Sequence, residues 1–210
     1  MNVLKTYSIA LSYKVTSFIK GQSICKIQKL KLKKLSIIIV FLTTININAQ
    51  EKGYEIGFQL NEYQNDFGIG LQLTSPYIFN ENVAVRLRTN MMYFQHIDSK
   101  SLEYTWTPYT NISLGVFGHR AMIHENIALY GEGGIVGLLP SSNLTSKDLY
   151  IGGYGLFGFE FYFIPEFSYF IEAGGMGVDA VADKLPGKPI YSNGFLTSVG
   201  FRITFRHRNE

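Results

Sequence analysis

Few side chains in this chain could do covalent chemistry, and their spacing excludes most reactions. The four histidines are His96, His119, His124 and His207. His96 falls in a predicted loop, His119 and His124 flank a predicted turn, and His207 lies in the C-terminal tail. No H-E-x-x-H, phosphate-loop or calcium-loop spacing occurs. Cys25 is the only cysteine and precedes the apolar segment described below. The rest of the chain therefore has no disulfide, thiolate metal site or cysteine nucleophile. Gly152-Gly153-Tyr154-Gly155 does not open a helix, so it is no nucleotide-binding turn. Ser113 and Ser198 share a strand face with charges, but no histidine stands at their level to activate them. No catalytic, cofactor-binding or metal-binding residue is expected. What remains is a set of charges embedded in apolar, aromatic, glycine-rich runs: Glu55, Arg86, Arg88, Glu132, Glu160, Glu172 and Arg202. Their chemistry is ion pairing.

The runs that position these charges alternate with period two, the signature of strands with two unlike faces. Between Tyr150 and Phe163, Ile151, Phe157, Phe159, Phe161 and Phe163 share one face. Tyr150, Tyr154, Glu160 and Tyr162 share the other. Eight strands are predicted, over 53–61, 66–75, 82–95, 104–118, 126–138, 149–163, 167–179 and 194–206. Most reach the roughly 9–11 residues that a tilted strand needs to cross a bilayer. Parity places Ile56, Phe58, Ile69, Leu71, Val85, Leu87, Ile112, Leu114, Val116, Ile135, Phe157, Phe159, Ile171, Val199, Phe201 and Ile203 on one face without a single charge. The opposite face takes Gln59, Gln72, Asn90, Asn111 and Ser113 together with the seven charges. Four carboxylates and three guanidinium groups buried without partners would be very costly. They are expected to pair across an enclosed interior. The pattern implies lipid outside and polar groups inside. Tyr54, Phe163, Phe167, Tyr169 and Phe205 near one rim, and Tyr93 and Trp106 near the other, suit two interfacial belts.

The formal charge of +3 hides an asymmetry. Eight of the 19 basic residues, all lysines, precede position 50, and all 16 acidic residues follow it. Lys26 to Lys34 form a basic region, and Leu35 to Ile45 an apolar core too short to span a bilayer as a helix. Ile47-Asn48-Ala49 ends in a small residue, so residues 1–49 read as a signal peptide cleaved after Ala49. The 25 residues before Lys26 make this signal long and suggest a misassigned start. The exported part, 50–210, is acidic, which argues against nucleic-acid binding. It is one domain of about 160 residues. It holds no apolar run of about 18 residues, hence no transmembrane helix.

Connections alternate in character. Asn80-Glu81-Asn82-Val83-Ala84-Val85 echoes His124-Glu125-Asn126-Ile127-Ala128-Leu129, with a weaker copy at Ile164-Pro165-Glu166-Phe167-Ser168-Tyr169. The spacings of 44 and 41 residues match a two-strand unit. Connections at Asn61–Asp66, Gln95–Glu103, Pro140–Asp148 and Ala180–Asn193 are polar and mostly long. With these strands, this signal and the closing run Gly200-Phe201-Arg202-Ile203-Thr204-Phe205, the chain resembles the small eight-stranded outer-membrane β-barrels of Gram-negative bacteria, the class of the OmpA membrane domain and the OmpX-like proteins. Ala49-Gln50 and Tyr130-Gly131-Glu132-Gly133-Gly134 resemble members from Bacteroidota. The resemblance implies an antiparallel up-and-down transmembrane barrel in the cell outer membrane, with short turns in the periplasm and long loops outside. It also implies assembly by the barrel-assembly machinery, contact with outer-membrane lipids, and a monomer. Barrels of that class end on an aromatic residue, whereas here Arg206 to Glu210 follow Phe205.

Four functions fit such a chain. The favoured one is a non-enzymatic barrel with a side-chain-filled lumen and a structural or loop-mediated binding role. Its partner, unidentified, would meet the loops at Gln95–Glu103 and Ala180–Asn193. A narrow porin-like channel is the second. A soluble periplasmic lipid-binding barrel is the third, with both faces reversed. The fourth is a lipid-modifying outer-membrane enzyme, which needs a Ser or His beside a carboxylate on the lipid-facing wall; no such group falls there. The charges are expected to place Arg202 between Glu55 and Glu172, with Arg86 and Glu160 at the same level.

Overall fold

The computed structural model describes residues 53–64, 66–78, 82–98, 103–118 and 120–205. The expected signal over residues 1–49, His119 and His207 lie outside the described residues. Eleven strands follow in chain order. They are β1 Tyr54–Tyr63, β2 Asp66–Thr74, β3 Val83–Ile97, β4 Tyr104–Gly118, β5 Ala121–His124, β6 Ile127–Leu139, β7 Tyr150–Ile164, β8 Phe167–Gly177, β9 Ala180–Val181, β10 Ile190–Tyr191 and β11 Gly194–Phe205.

Each barrel strand pairs antiparallel with the next, and β1 pairs with β11 along its whole length, from Tyr54↔Phe205 to Tyr63↔Leu196. β4 and β5 are successive parts of one wall strand, and both pair with β6. The result is a closed eight-stranded up-and-down antiparallel barrel. Closure removes the open sheet edges that bare strands would carry. β9 and β10 form a separate small hairpin in the last long connection.

Period two sets the two environments. Along β2 the pattern is strictly alternating, with Phe67, Ile69, Leu71 and Leu73 exposed between buried Asp66, Gln72 and Thr74. The whole wall follows suit: Leu71, Val116, Ile135 and Ile151 are 56%, 56%, 62% and 72% exposed, whereas Arg86 and Arg202 are 0% exposed. Apolar groups face out, and every charged residue of the barrel strands except Glu62 at the loop end of β1 faces in, the inverse of a soluble barrel. A wall that is apolar around its circumference over a charged interior is that of a membrane-spanning barrel of the outer-membrane type. Near the short-turn end the outer aromatics touch one another. Phe161 stacks on Tyr169 with centroids 4.6 Å apart, and Phe58 stacks on Phe201 at 5.7 Å.

The first connection is tighter than its polar sequence suggests. β1 extends to Tyr63, and Tyr63 pairs directly with Asp66. Gln64 adopts a φ of 41°, the left-handed conformation that a two-residue hairpin loop demands.

Candidate functional site

The lumen is crossed by ion pairs, whose side chains come from six barrel strands and from the junction of β4 and β5. Period two aims Glu55 (β1), Arg86 and Arg88 (β3), Glu132 (β6), Glu160 (β7), Glu172 (β8) and Arg202 (β11) inward, and all seven are buried. The eighth charge is Arg120, between β4 and β5. Inward positions on β4 are odd-numbered: Asn111, Ser113 and Phe117 are buried. Simple continuation would turn Arg120 outward. β4 pairs with β6 as Phe117↔Glu132 and β5 as Ala121↔Leu129, so one extra residue is accommodated between them. That irregularity flips parity and delivers Arg120 to the interior.

Four guanidinium groups and four carboxylates then alternate around a closed circuit. Arg120 meets Glu55 at 2.7 Å and Glu160 at 2.5 Å. Arg202 joins Glu160 at 2.9 Å to Glu172 at 2.7 Å. Arg88 joins Glu172 at 2.7 Å to Glu132 at 2.6 Å. Arg86 meets Glu132 at 2.8 Å and closes the circuit on Glu55 at 3.8 Å. Arg88 donates to both oxygens of Glu132 and both of Glu172, the forked geometry that makes arginine pairs strong. The remaining carboxylate lone pairs accept from hydroxyls: Tyr154 on Glu132 at 2.6 Å, Tyr130 on Glu172 at 2.6 Å, Ser168 on Glu160 at 2.5 Å. Three guanidinium groups lie over rings, Arg86 on Phe117 at 4.0 Å, Arg202 on Phe170 at 3.9 Å and Arg120 on Phe117 at 4.8 Å.

The expected bracketing of Arg202 is half met. Glu172 is its partner, and Glu160 takes the second place assigned to Glu55. The physical reason is Arg120, whose guanidinium pairs with Glu55 at 2.7 Å and occupies that carboxylate. Sequence parity missed Arg120 because the extra residue lies just before it. A clue was present: four inward carboxylates called for a fourth cation.

Toward the loop end the lumen changes chemistry. An amide layer comes first. Gln59 Nε2 and Asn61 Nδ2 both donate to Asn90 Oδ1, at 2.6 and 2.9 Å, and Asn90 Nδ2 donates to Asn111 Oδ1 at 2.6 Å. An aromatic layer follows, in which Tyr191 stacks on Phe94 at 5.3 Å and meets Tyr109 edge-on at 5.1 Å. Tyr191 belongs to β10, so the connection between β8 and β11 folds into the barrel mouth. Asp66 Oδ2 fixes it there, accepting from Tyr109 OH at 2.6 Å and from the Ser192 amide at 2.8 Å. Part of the segment expected as a free contact surface is thus a plug: Ala180, Ala182, Tyr191 and Ser192 are buried, and Asp183, Lys184, Lys188 and Ile190 remain exposed. The neighbouring connection is tied to it. Asp183 accepts from the Ser146 hydroxyl at 2.6 Å and the Ser146 amide at 3.0 Å. These hydrogen bonds hold the exposed Asp183 carboxyl below its ordinary range. Burial pushes the Tyr191 phenol above its ordinary value.

Among the described residues, no group of three or more His, Cys, Asp or Glu side chains is arranged to hold a metal ion. His96 bonds Thr107 Oγ1 at 2.8 Å, and His124 is exposed in β5. Ser113 and Ser198 are buried in the lumen, and Ser198 donates to Asn61 Oδ1 at 2.7 Å.

No protein-family model and no curated protein matches this sequence. Solved structures do align with it. The N-terminal β-barrel domain of Pseudomonas aeruginosa OprF is 13% identical and covers 74% of this chain and 100% of that one, with a TM-score of 0.49. The Yersinia pestis outer membrane protein Ail in a phospholipid nanodisc is 15% identical, again over 74% and 100%, with a TM-score of 0.47. Ail of Yersinia pestis in complex with the heparin analogue sucrose octasulfate is 17% identical over 74% and 98%, with a TM-score of 0.41.

Proposed function

We propose that this chain is a non-enzymatic structural barrel of the outer membrane, sealed along its lumen, that presents its long connections to an extracellular partner. The single observation that carries the sealed lumen is the closed circuit of Arg86, Arg88, Arg120 and Arg202 with Glu55, Glu132, Glu160 and Glu172. Eight strands enclose only enough space for side chains. A conducting path would have to part these pairs, and each parted pair would strand buried charge at several kcal/mol. The amide and aromatic layers stacked on the circuit support the same reading. The exposed tip of the last long connection supports the binding role, since loops held by a rigid scaffold commonly carry recognition.

The test is conductance. Protein reconstituted in planar bilayers should show no stable single-channel steps. Large steady steps would replace the sealed-barrel reading with a porin-like one. Fractionation tests the location: the protein should stay with outer membranes after carbonate washing and begin at Gln50. Recovery from the soluble periplasm would overturn the membrane assignment itself.

A further inference from the structure

Nine charged side chains are buried among the described residues, and eight of them pair with one another in the circuit. The ninth is Asp66, at the loop end of β2, which forms no ion pair among the described residues. Its Oδ2 accepts from Tyr109 OH and the Ser192 amide, whereas its buried Oδ1 has no hydrogen-bond partner among the described residues. A buried carboxylate without a cation is held at high cost. The ring packed beside it is poorly served too. Tyr191 stacks on Phe94 and meets Tyr109 edge-on, but its buried hydroxyl also finds no partner among the described residues. The occupant of this place therefore fits it incompletely.

The hairpin that inserts Tyr191 is strained at both ends. Among the described residues six have a left-handed φ, and five of these lie between 179 and 194: Asp179 at 51°, Gly187 at 73°, Lys188 at 46°, Ser192 at 54° and Gly194 at 100°. Aspartate, lysine and serine hold that conformation at a cost. Asp179 and Gly194 flank the β9–β10 hairpin, where the backbone can turn as a hinge. Deeper in the lumen the amide layer is bonded among wall strands, Gln59 and Asn61 to Asn90, without help from the hairpin. Lifting the hairpin opens a blind cup toward the loop side and leaves the circuit beneath it closed.

We propose that Asp66, Phe94 and Tyr109 form a binding cup for a small arylalkyl ammonium compound, and that Tyr191 and Ser192 fill it in the ligand's absence. The covalent pattern of the present occupant sets the class. Three carbons separate the Tyr191 ring from the Ser192 amide nitrogen, so the chain offers the cup a ring and an N–H donor at that spacing. An ammonium group in place of the amide keeps the donor and adds the positive charge that Asp66 lacks. With three donors it serves Oδ1 as well as Oδ2. The ring keeps its stacking on Phe94, and the aromatic walls favour a cation. The cup rests on the reading that the long connections face outside the cell.

The full protein in lipid nanodiscs, with amides observed by NMR, tests the cup. The probe is 3-phenylpropylammonium; 4-phenylbutyrate, with a carboxylate in place of the ammonium, is the control. The ammonium probe should shift the Phe94 and Tyr109 amides saturably and speed hydrogen exchange of the Ser192 amide, which loses Asp66. The carboxylate should do neither. Asp66→Asn should weaken binding about tenfold or more, the scale of a hydrogen bond to a charged group. Tyr191→Ala should tighten it about fivefold or more, because the ligand no longer competes with the chain's own ring. The gel shift between unboiled and boiled samples certifies each variant as folded. Equal shifts from both probes would mean unspecific partitioning and overturn the site. Weaker binding by folded Tyr191→Ala would make Tyr191 a fixed wall of the barrel mouth and overturn the displacement. Absence of binding by both the unaltered protein and Tyr191→Ala, in a barrel that still resists carbonate washing, defeats the cup alone and leaves the outer-membrane reading standing.

Discussion

Arg202 is the clearest residue on which to weigh the lumen. It is 0% exposed and holds Glu160 and Glu172 together. Arg202→Ala should destabilise the barrel by about 3–5 kcal/mol, because removing one partner strands buried charge. Adding Glu160→Gln should recover part of that loss, since Glu160 keeps only Arg120. Adding Glu55→Gln should recover none, since Glu55 pairs with Arg120 and Arg86. Denaturant-refolding curves in detergent measure all three. A cost of only about 0–1 kcal/mol, the range of a surface pair, would contradict the interior placement. Arg120→Ala should cost as much as Arg202→Ala. It tests the parity flip directly, because an outward Arg120 would cost little.

Glycine does different work on the two faces of the strands. A Cβ on Gly155 would meet nothing within 4 Å. A Cβ on Gly174 would run into Gly155 O and the backbone of Leu156. Gly155→Ala should therefore leave stability unchanged or raise it by up to about 1 kcal/mol, through a less flexible unfolded chain. Gly174→Ala should lower stability and can be read in the same refolding assay. The clasp between the last two long connections responds to pH. Hydrogen bonds from Ser146 depress the Asp183 carboxyl. A depressed acid stabilises above its unfolded range and stops doing so as pH falls through the lowered value. Motion of a nitroxide on Lys188→Cys should thus increase below about pH 4, the ordinary aspartate range. Asp183→Asn should already be mobile at neutral pH and show no such transition. The predicted strands agree with the observed ones within two residues at nearly every end, because period two was strong over long runs. The plug was not legible. Ala180 to Asn193 looks like a polar loop, and only contact with Phe94, Tyr109 and Asp66 draws Tyr191 and Ser192 inward.

At the scale of the molecule, the barrel is inverted relative to a soluble protein, and one measurement reads this as a whole. Unboiled protein should run as a compact band distinct from the boiled form, since closure makes unfolding cooperative across all eight barrel strands. Loss of that shift in the triple substitution Arg86→Ala, Arg88→Ala and Arg202→Ala would mean that the ion-pair circuit holds the barrel closed. The sequence by itself determined the class of fold, which face meets lipid and which seven charges point inward. Those are properties of alternation along each strand, and alternation is local. Only the tertiary structure decided who pairs with whom. Pairing depends on how strands stagger around a closed wall and on one extra residue before Ala121 that turns Arg120 into the lumen. A single inserted residue reverses every later side chain on its strand. No local pattern announces it until the neighbouring strand fixes the register.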